Sequence, residues 1–512
     1  MAANSASAPF AAPRVNDAMP GPSSTSHEGR YVEVQAAIDP ALERRVRRKI
    51  DYNLMPLVMV LYLLAILDRS NIGNAKTAGM NTDLGFDDPH YQWLLTIFYI
   101  PYILFEPLAF MWKLVPPHIW AAGCVLIWGI SSTLQAAAFS WPGLMACRFF
   151  LAAAEAAYGP GIPYLLSFFY KRRELGFRCA IFFSAAPLAN TFAGALAYGI
   201  TSGRSAIASW RVLFLVEGFP SIAMAAVAFC FMPDSADTAR FLTPEEREVA
   251  KHRAIQQTGQ DGKARIGNVQ MKEVLASLKD LKTWIPPLMY FSINVSFSSL
   301  PVFLPDIIHN MGFSSVDAQG LTAPPYLLGF ILCLITTYIA DRTGQRGLMI
   351  TAVSLLGGTG YVVLGACTSV AARYTGVFLA AAGMFPAIAN ILPWTLNNQG
   401  SDSKRGAGIT LLNLIGQCGP LLGTRLFPAA EAPFFAKGMY ISAGFLFLNA
   451  VLAMALRTLL AWENRRFEKR DKEILAAASA SGRASVDESD KTGGKSVSVG
   501  VENEGYGFRN VL

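Results

Sequence analysis

Apolar runs of roughly the length needed to cross a bilayer recur along the chain, separated by short polar loops. They fall at Leu54 to about Ala78, Tyr91–Leu114, Ile119–Phe139, Leu144–Tyr170, Cys179–Gly203 and Val212–Met232. A second set follows at Trp284–Asn310, Leu321–Ala340, Leu348–Cys367, Tyr374–Leu396, Ile409–Pro428 and Gly438–Leu460. A helix crossing the hydrocarbon needs about 20 residues at about 1.5 Å rise each. The pattern therefore predicts an all-α membrane protein with 12 transmembrane helices. The stretch 233–282 between the two sets is polar and mixed in charge, with no run long enough to cross. Its TPEE start predicts a short surface helix capped at Thr243.

The first run breaks the apolar rule in an informative way. Leu54 to Leu67 is too short to span, so the helix has to continue through Asp68, Arg69, Ser70 and Asn71. That places an acid and a base side by side within the membrane. Ionisable groups there are costly, usually face a bundle interior or aqueous cavity, and mark a functional site by default. The fourth run, CRFFLAAAEAAYGPGIPYLLSFFY, carries a second set. Arg148 and Glu155 are seven residues apart, which puts them on one face of a helix about 10.5 Å apart along its axis. Alanines lie between them, so the stripe allows close approach by a helix or a ligand.

Composition agrees with the pattern. The 512 residues are 53% hydrophobic and only 15% charged, too few charges for the surface of a soluble protein of this length. The net charge of +7 is dispersed in clusters between spans, which argues for topology signals and against nucleic acid as a partner. Arg44, Arg45, Arg47, Arg48 and Lys49 precede the first run, and KRRELGFR follows the fourth. Both termini are accordingly expected in the cytosol. The seven cysteines lie in or beside apolar runs and show no metal or disulfide spacing, so no metal is expected. The N-terminal arm, residues 1–50, lacks the apolar core of a signal peptide. With the Ser/Gly/Ala-rich tail 463–512, it is expected to be disordered and cytosolic. The expected domains between them are a six-helix bundle over 51–232, the linker 233–282 and a second six-helix bundle over 283–462.

Six spans, a cytosolic linker and six more spans is the plan of the major facilitator fold, two six-helix bundles related by an axis along the membrane normal. The stretch DRSNIGNAKTAGM resembles the first-helix signature of the fungal allantoate and nicotinic acid permease branch of the anion:cation symporters, within that superfamily. ADRTGQRG at 340–347 resembles the superfamily's loop signature, implying that Asp341, Arg342 and Arg346 tie helix ends together in gating. The matching first-half stretch, EPLAFMWKLVPPH, departs from that signature and leaves its gate unexplained. The resemblance covers about Leu54 to Asp471. It implies that Arg69 binds a substrate carboxylate, that Arg148 is a second cavity arginine, and that Asp68 and Glu155 couple protons.

The chemistry of these residue types points the same way. Arginine offers a planar fork for a carboxylate and keeps its charge, while a carboxyl in an apolar cavity can take up and release a proton. Because Asp68 adjoins Arg69 in the sequence, Glu155 is expected to be the more readily protonated acid. Asn294, Asn390, Trp394 and Asn413 are candidates to bind the rest of the substrate, as are Ser298 and Gln417, although such a residue in a span more often makes a helix–helix hydrogen bond. The expected function is import of a small organic anion, such as nicotinate, allantoate or a related vitamin-like carboxylate, with protons as coupling ion and no cofactor. An exporter of a metabolite or drug, or a nutrient receptor, are the alternatives. No nucleophile–base set appears, so an enzyme is not expected. The protein is expected to act as a monomer in the lipid bilayer of the plasma membrane.

Overall fold

The apolar runs become helices that turn their polar residues inward and their apolar ones outward. The computed structural model describes residues 39–203, 205–236, 238–258, 278–398, 402–480 and 510–512, and it contains no strand among them. In the first half, α1 is Pro40–Thr77, α2 Asp88–Phe105, α3 Pro117–Gln135, α4 Trp141–Tyr158, α5 Arg172–Ser202 and α6 Ser209–Phe231. In the second, α7 is Leu281–His309, α8 Ala323–Thr343, α9 Arg346–Ala366, α10 Val370–Asn397, α11 Asp402–Gly416 and α12 Ala436–Ala480. Phe219, Phe231 and Val451 are 68%, 70% and 65% exposed, whereas Asp68, Asn71, Gln135 and Asn390 are fully buried. A surface of large apolar side chains around an interior that holds these buried polar groups is stable only in lipid.

Nine of the described helices are long and apolar enough to cross a membrane. The second, fourth and eleventh predicted spans are each interrupted instead. A 3-10 turn, Glu106–Phe110, follows α2, and another, Gly159–Gly161, separates α4 from the short helix Ile162–Leu166. The eleventh span breaks between Gly416 and Gly419 before the short helix Gly419–Gly423. Each break coincides with Pro, joined by Gly in the fourth and eleventh spans, which frees backbone groups that only a protein-lined interior can satisfy. The breaks in the fourth and eleventh spans bring irregular backbone to the centre of the molecule.

The helices pack as two bundles of similar layout. In the first, α3 lies on α6 and α4, and α1 on α5 and α6; in the second, α9 lies on α12 and α10, and α7 on α11 and α12. Between the bundles α5 meets α8 and α10, and α1 meets α7. Both described chain ends and the linker lie at one end of this assembly, here the basal end; the opposite end is distal.

The linker helix, Pro244–Thr258, begins with the capping box that the TPEE start predicts. Thr243 Oγ1 accepts from the Glu246 N–H at 3.3 Å, and Glu246 Oε2 accepts from the Thr243 N–H at 2.9 Å. The basic clusters around it are paired. Lys49 bonds Glu246 at 2.7 Å, Lys171 bonds Glu43 at 2.7 Å, Arg253 bonds Glu174, and Arg178 grips Asp51 with two 2.7 Å bonds. These pairs fasten the linker helix, the start of α1 and the α4–α5 turn into one platform.

At the basal end the tail differs from expectation. The twelfth helix runs on to Ala480, far past residue 463, and residues 510–512 are packed against the second bundle. Asn464 exchanges two bonds with the Asn510 backbone, Trp394 and Asn398 donate to the Val511 carbonyl, and Leu512 bonds Gly344 and Gly347. The expected disorder of 1–38 and of 481–509 concerns stretches outside the described residues.

At the distal end the two bundles touch. Lys76 of α1 bonds Asp306 of α7 at 3.1 Å and Asp88 at 3.4 Å. Thr96 meets Thr424 at 3.2 Å, and Gln319 donates to the Asn74 carbonyl at 3.4 Å. Gly73 permits this approach, because a Cβ there would lie 2.3 Å from the Val302 carbonyl oxygen of α7.

Candidate functional site

Asp68, Arg69, Arg148 and Glu155 all lie inside the first bundle, and helix geometry sorts these four into two sites. Consecutive residues on a helix point about 100° apart, so Asp68 and Arg69 leave α1 in different directions. Arg69 faces the interface between bundles. It places Nη2 2.6 Å and Nε 3.1 Å from Oε2 of Glu155 on α4. Its guanidinium also lies over the rings of Phe98 and Tyr102, 4.7 and 4.9 Å from their centroids. Arg148, two turns from Glu155, donates from Nη1 to the Arg69 carbonyl at 3.2 Å and lies 5.0 Å over Phe98. Its Nε and Oε1 of Glu155 are buried without a partner, so the cluster holds one free donor and one free acceptor.

Asp68 belongs to a different environment. Ser132 of α3 donates to its Oδ1 at 2.6 Å and Ser221 of α6 to its Oδ2 at 2.7 Å. This corrects the premise that Arg69, its neighbour in the sequence, lies against Asp68. The cation lies on Glu155, and Asp68 is held by hydroxyl groups alone. Sequence adjacency misleads here because the helix turns the two side chains apart.

The Arg69 guanidinium opens into an internal cavity of about 40 Å³, enough for about three water molecules. Both bundles line it, with Tyr62, Tyr99, Tyr102 and the broken backbone at Gly159–Pro160 on one side and Tyr290, Asn294, Ser298, Asn413 and Gln417 on the other. Of the expected substrate ligands, Arg69, Asn294 and Asn413 therefore share one wall-to-wall space. The tyrosines are the residues that sequence reasoning missed; their spacing in α1 and α2 resembles ordinary core packing.

Three of the expected ligands lie elsewhere. Arg148, expected as a second cavity arginine, does not line the cavity but is bonded to the Arg69 carbonyl behind it. Ile388 and Leu392 of α10 line the cavity, so Asn390, two residues from each, is turned to the other side of the helix. Its amide donates to the Pro386 carbonyl at 2.9 Å and its oxygen lies 3.5 Å from Arg346. Trp394, one turn further towards the basal end, gives its indole N–H to the Val511 carbonyl at 2.8 Å. Neither reaches the cavity.

Of the three expected gating residues, Asp341 and Arg346 pair directly and join α8 to α9. Arg342 does not join them; it is exposed and lies over the Tyr338 ring at 5.4 Å. In the first half, where the loop signature fails, Trp112 and Trp120 both donate to the Ala157 carbonyl at 3.1 Å, beside the break in α4. His118 bonds Asp234 at 2.7 Å. Indole and imidazole groups thus tie the first-half loop where charged groups tie the second.

Comparison with known proteins places this architecture. The family model of the Major Facilitator Superfamily matches residues 58–424. An uncharacterised transporter of Schizosaccharomyces pombe is 34% identical over 449 residues, covering 86% of this chain and 87% of that protein. The high-affinity nicotinic acid transporter of Saccharomyces cerevisiae is 31% identical over 405 residues, covering 79% of this chain and 75% of that protein. Among solved structures, the proton:xylose symporter XylE bound to 6-bromo-6-deoxy-D-glucose superposes with a TM-score of 0.61 at 14% identity, over 79% of this chain and 96% of XylE. With its two bundles, its central cavity and these relatives, the chain belongs to the major facilitator superfamily and is a multi-pass membrane transporter, not an enzyme.

Proposed function

We propose that the protein imports a small organic carboxylate, of the size and charge of nicotinate, together with protons by alternating access. The single observation that carries this reading is the Arg69–Glu155 pair at the wall of a cavity between the bundles. A substrate carboxylate would compete with Glu155 for the same guanidinium. Protonation of Glu155 releases Arg69, and the planar fork then accepts the substrate in its place. Proton and anion thus load together. Tyr62, Tyr99, Tyr102 and Tyr290 provide apolar faces and hydroxyls for a flat ring, and Asn294 and Asn413 provide amides. Relatedness to a nicotinic acid transporter supports the substrate class.

On this reading the basic platform and both chain ends face the cytosol, following the positive-inside rule. The contacts at the distal end then close the outer side of the plasma membrane in the conformation described. Loading from the outer side requires the bundles to part at these contacts. Arg148 fixes the Arg69 backbone and adds positive potential to the site, and the Asp341–Arg346 pair joins the inner ends of the second bundle.

The test is uptake of radiolabelled nicotinate by a transport-deficient host at acidic and neutral external pH, with and without a protonophore. Acid-stimulated, protonophore-sensitive uptake is expected for the wild type. Glu155→Gln, which leaves Arg69 free at every pH, should lose the acid stimulation. Protonophore-insensitive uptake would exclude proton coupling, and no uptake by a surface-expressed protein would exclude nicotinate as the substrate.

A further inference from the structure

The first bundle contains a second acid that the cavity does not use. Glu217 of α6 is only 2% exposed, and neither carboxylate oxygen has a hydrogen-bond partner. Its neighbours Leu215, Val216 and Phe219 are 40%, 41% and 68% exposed. The apolar side chains on α6 thus face outward while Glu217 is turned into the bundle.

Its position repeats a pattern. Asp68, Ser132 and Ser221 form one polar layer, on α1, α3 and α6. Asn71 follows Asp68 by three residues, Gln135 follows Ser132 by three, and Glu217 precedes Ser221 by four. Helices α1 and α3 run towards the distal end and α6 runs back, so all three steps lead one turn distally. Asn71 and Gln135 are fully buried, and both polar atoms of each side chain lack a partner. Gly218 fixes the height of Glu217 against α3, because a Cβ there would lie 2.7 Å from the Thr133 backbone nitrogen.

Buried polar groups are almost always satisfied, so three such side chains in one layer call for a ligand. Among the described residues, the charged group that acts on Glu217 is Asp68. From α3 the layer receives hydroxyls and an amide, and the buried polar groups of α5, Ser184 and Asn190, are neutral. Asp68 in turn feels Glu155 and Arg148 across α1. Two carboxyl groups in a layer with no cation cannot both be ionised.

We propose that Glu217 and Asp68 together form a proton-binding site inside the first bundle, separated by α1 from the substrate cavity, with Asn71 and Gln135 holding the water that delivers the proton from the distal end. This deepens the proton-coupled reading of the function and rests on it for its physiological role. The substrate cavity exchanges an anion at Arg69, and the buried layer stores a proton beside it. A pair of acids titrates as a unit, so loss of one changes the affinity of the other.

The test needs no substrate. Infrared difference spectra of the purified full-length protein in lipid nanodiscs are recorded between alkaline and acidic pH. Wild type should show a protonated-carboxyl band that Glu217→Gln removes and that Glu217→Asp retains at a shifted frequency. Asp68→Asn should move the titration midpoint of the Glu217 band by about one pH unit, a tenfold change in proton affinity. Identical titrating bands in wild type and Glu217→Gln would overturn the site, and an unmoved midpoint in Asp68→Asn would overturn the pairing. Uptake that fails to respond to pH while the Glu217 band titrates would instead remove the coupling role, since the spectra report binding alone.

Discussion

Glu155 offers a single carboxylate oxygen to two nitrogens of Arg69, at 2.6 and 3.1 Å, and leaves its other oxygen unpartnered in a buried site. A pair so placed is held by mutual neutralisation, so removing either partner strands the other. Arg69→Ala is expected to abolish uptake and to destabilise the protein by about 3–5 kcal/mol, the usual effect of leaving a buried charge alone. The double variant Arg69→Ala/Glu155→Gln should recover most of that stability and none of the uptake. Thermal unfolding in detergent beside an uptake assay separates the two effects; equal stability of the single and double variants would show that the pair carries no charge.

The correction at Trp394 is open to direct measurement. Trp394→Phe removes the indole bond to Val511 and should lower stability by about 1 kcal/mol, the net worth of one hydrogen bond, with the KM for substrate unchanged. Asn413→Ala, at the cavity wall, should raise KM several-fold with little change in stability. Deletion of Asn510–Leu512 is expected to reproduce the Trp394→Phe stability loss and exceed it. A raised KM in Trp394→Phe would return that residue to the substrate site.

Gly73 sets how closely the distal ends of the bundles approach. Gly73→Val places side-chain atoms where the Val302 carbonyl of α7 lies and should exclude the conformation described here. Spin labels on the distal ends of α1 and α7 are expected to report a longer distance population, and uptake should fall at least tenfold. Superimposable distance distributions for wild type and variant would mean that α1 bends away without parting the bundles.

The linker platform should depend on pH in a defined direction. Burial pushes the Glu246 carboxyl up, but bonds from the Lys49 ammonium and from the Thr243 hydroxyl and backbone outweigh it and leave the group below its ordinary range. Its contribution to docking is therefore complete above the unfolded carboxylate range, about 4.3, and is lost as pH falls through the lower folded value. Hydrogen exchange of Pro244–Thr258 should be flat from neutral to mildly acidic pH and rise only in stronger acid. Thr243→Ala, which removes the cap, should accelerate exchange at every pH by an amount equivalent to about 0.5–2 kcal/mol. Acceleration already at mildly acidic pH in the wild type would mean that another group controls docking.

Several features were legible in the chain because they depend on local rules. Span-length apolar runs predicted helices, since backbone groups in lipid have no other way to be satisfied. The TPEE sequence predicted its capping box because a cap is made by residues three apart. Arg148 and Glu155 were placed on one stripe by their seven-residue spacing, and both are buried near Arg69. The Pro and Gly clusters GPGIP and GQCGP mark where α4 and the eleventh span break, because proline removes a helical donor and clashes with the preceding turn.

What the sequence determined by itself is thus the class of the protein, the order and approximate extent of its helices, and the ionisable residues that a membrane would not tolerate without a purpose. The tertiary structure decided which of those residues meet. Spacing fixes the direction of a side chain relative to its own helix axis, but not which helix lies opposite, so Asp68 went to Ser132 and Ser221 while its neighbour Arg69 went to Glu155. The same rule sent Asn390 and Trp394 away from the cavity and brought Val511 to meet Trp394 across 117 residues of chain. Pairing across such separations is set by the packing of whole bundles, a property no local stretch of sequence contains.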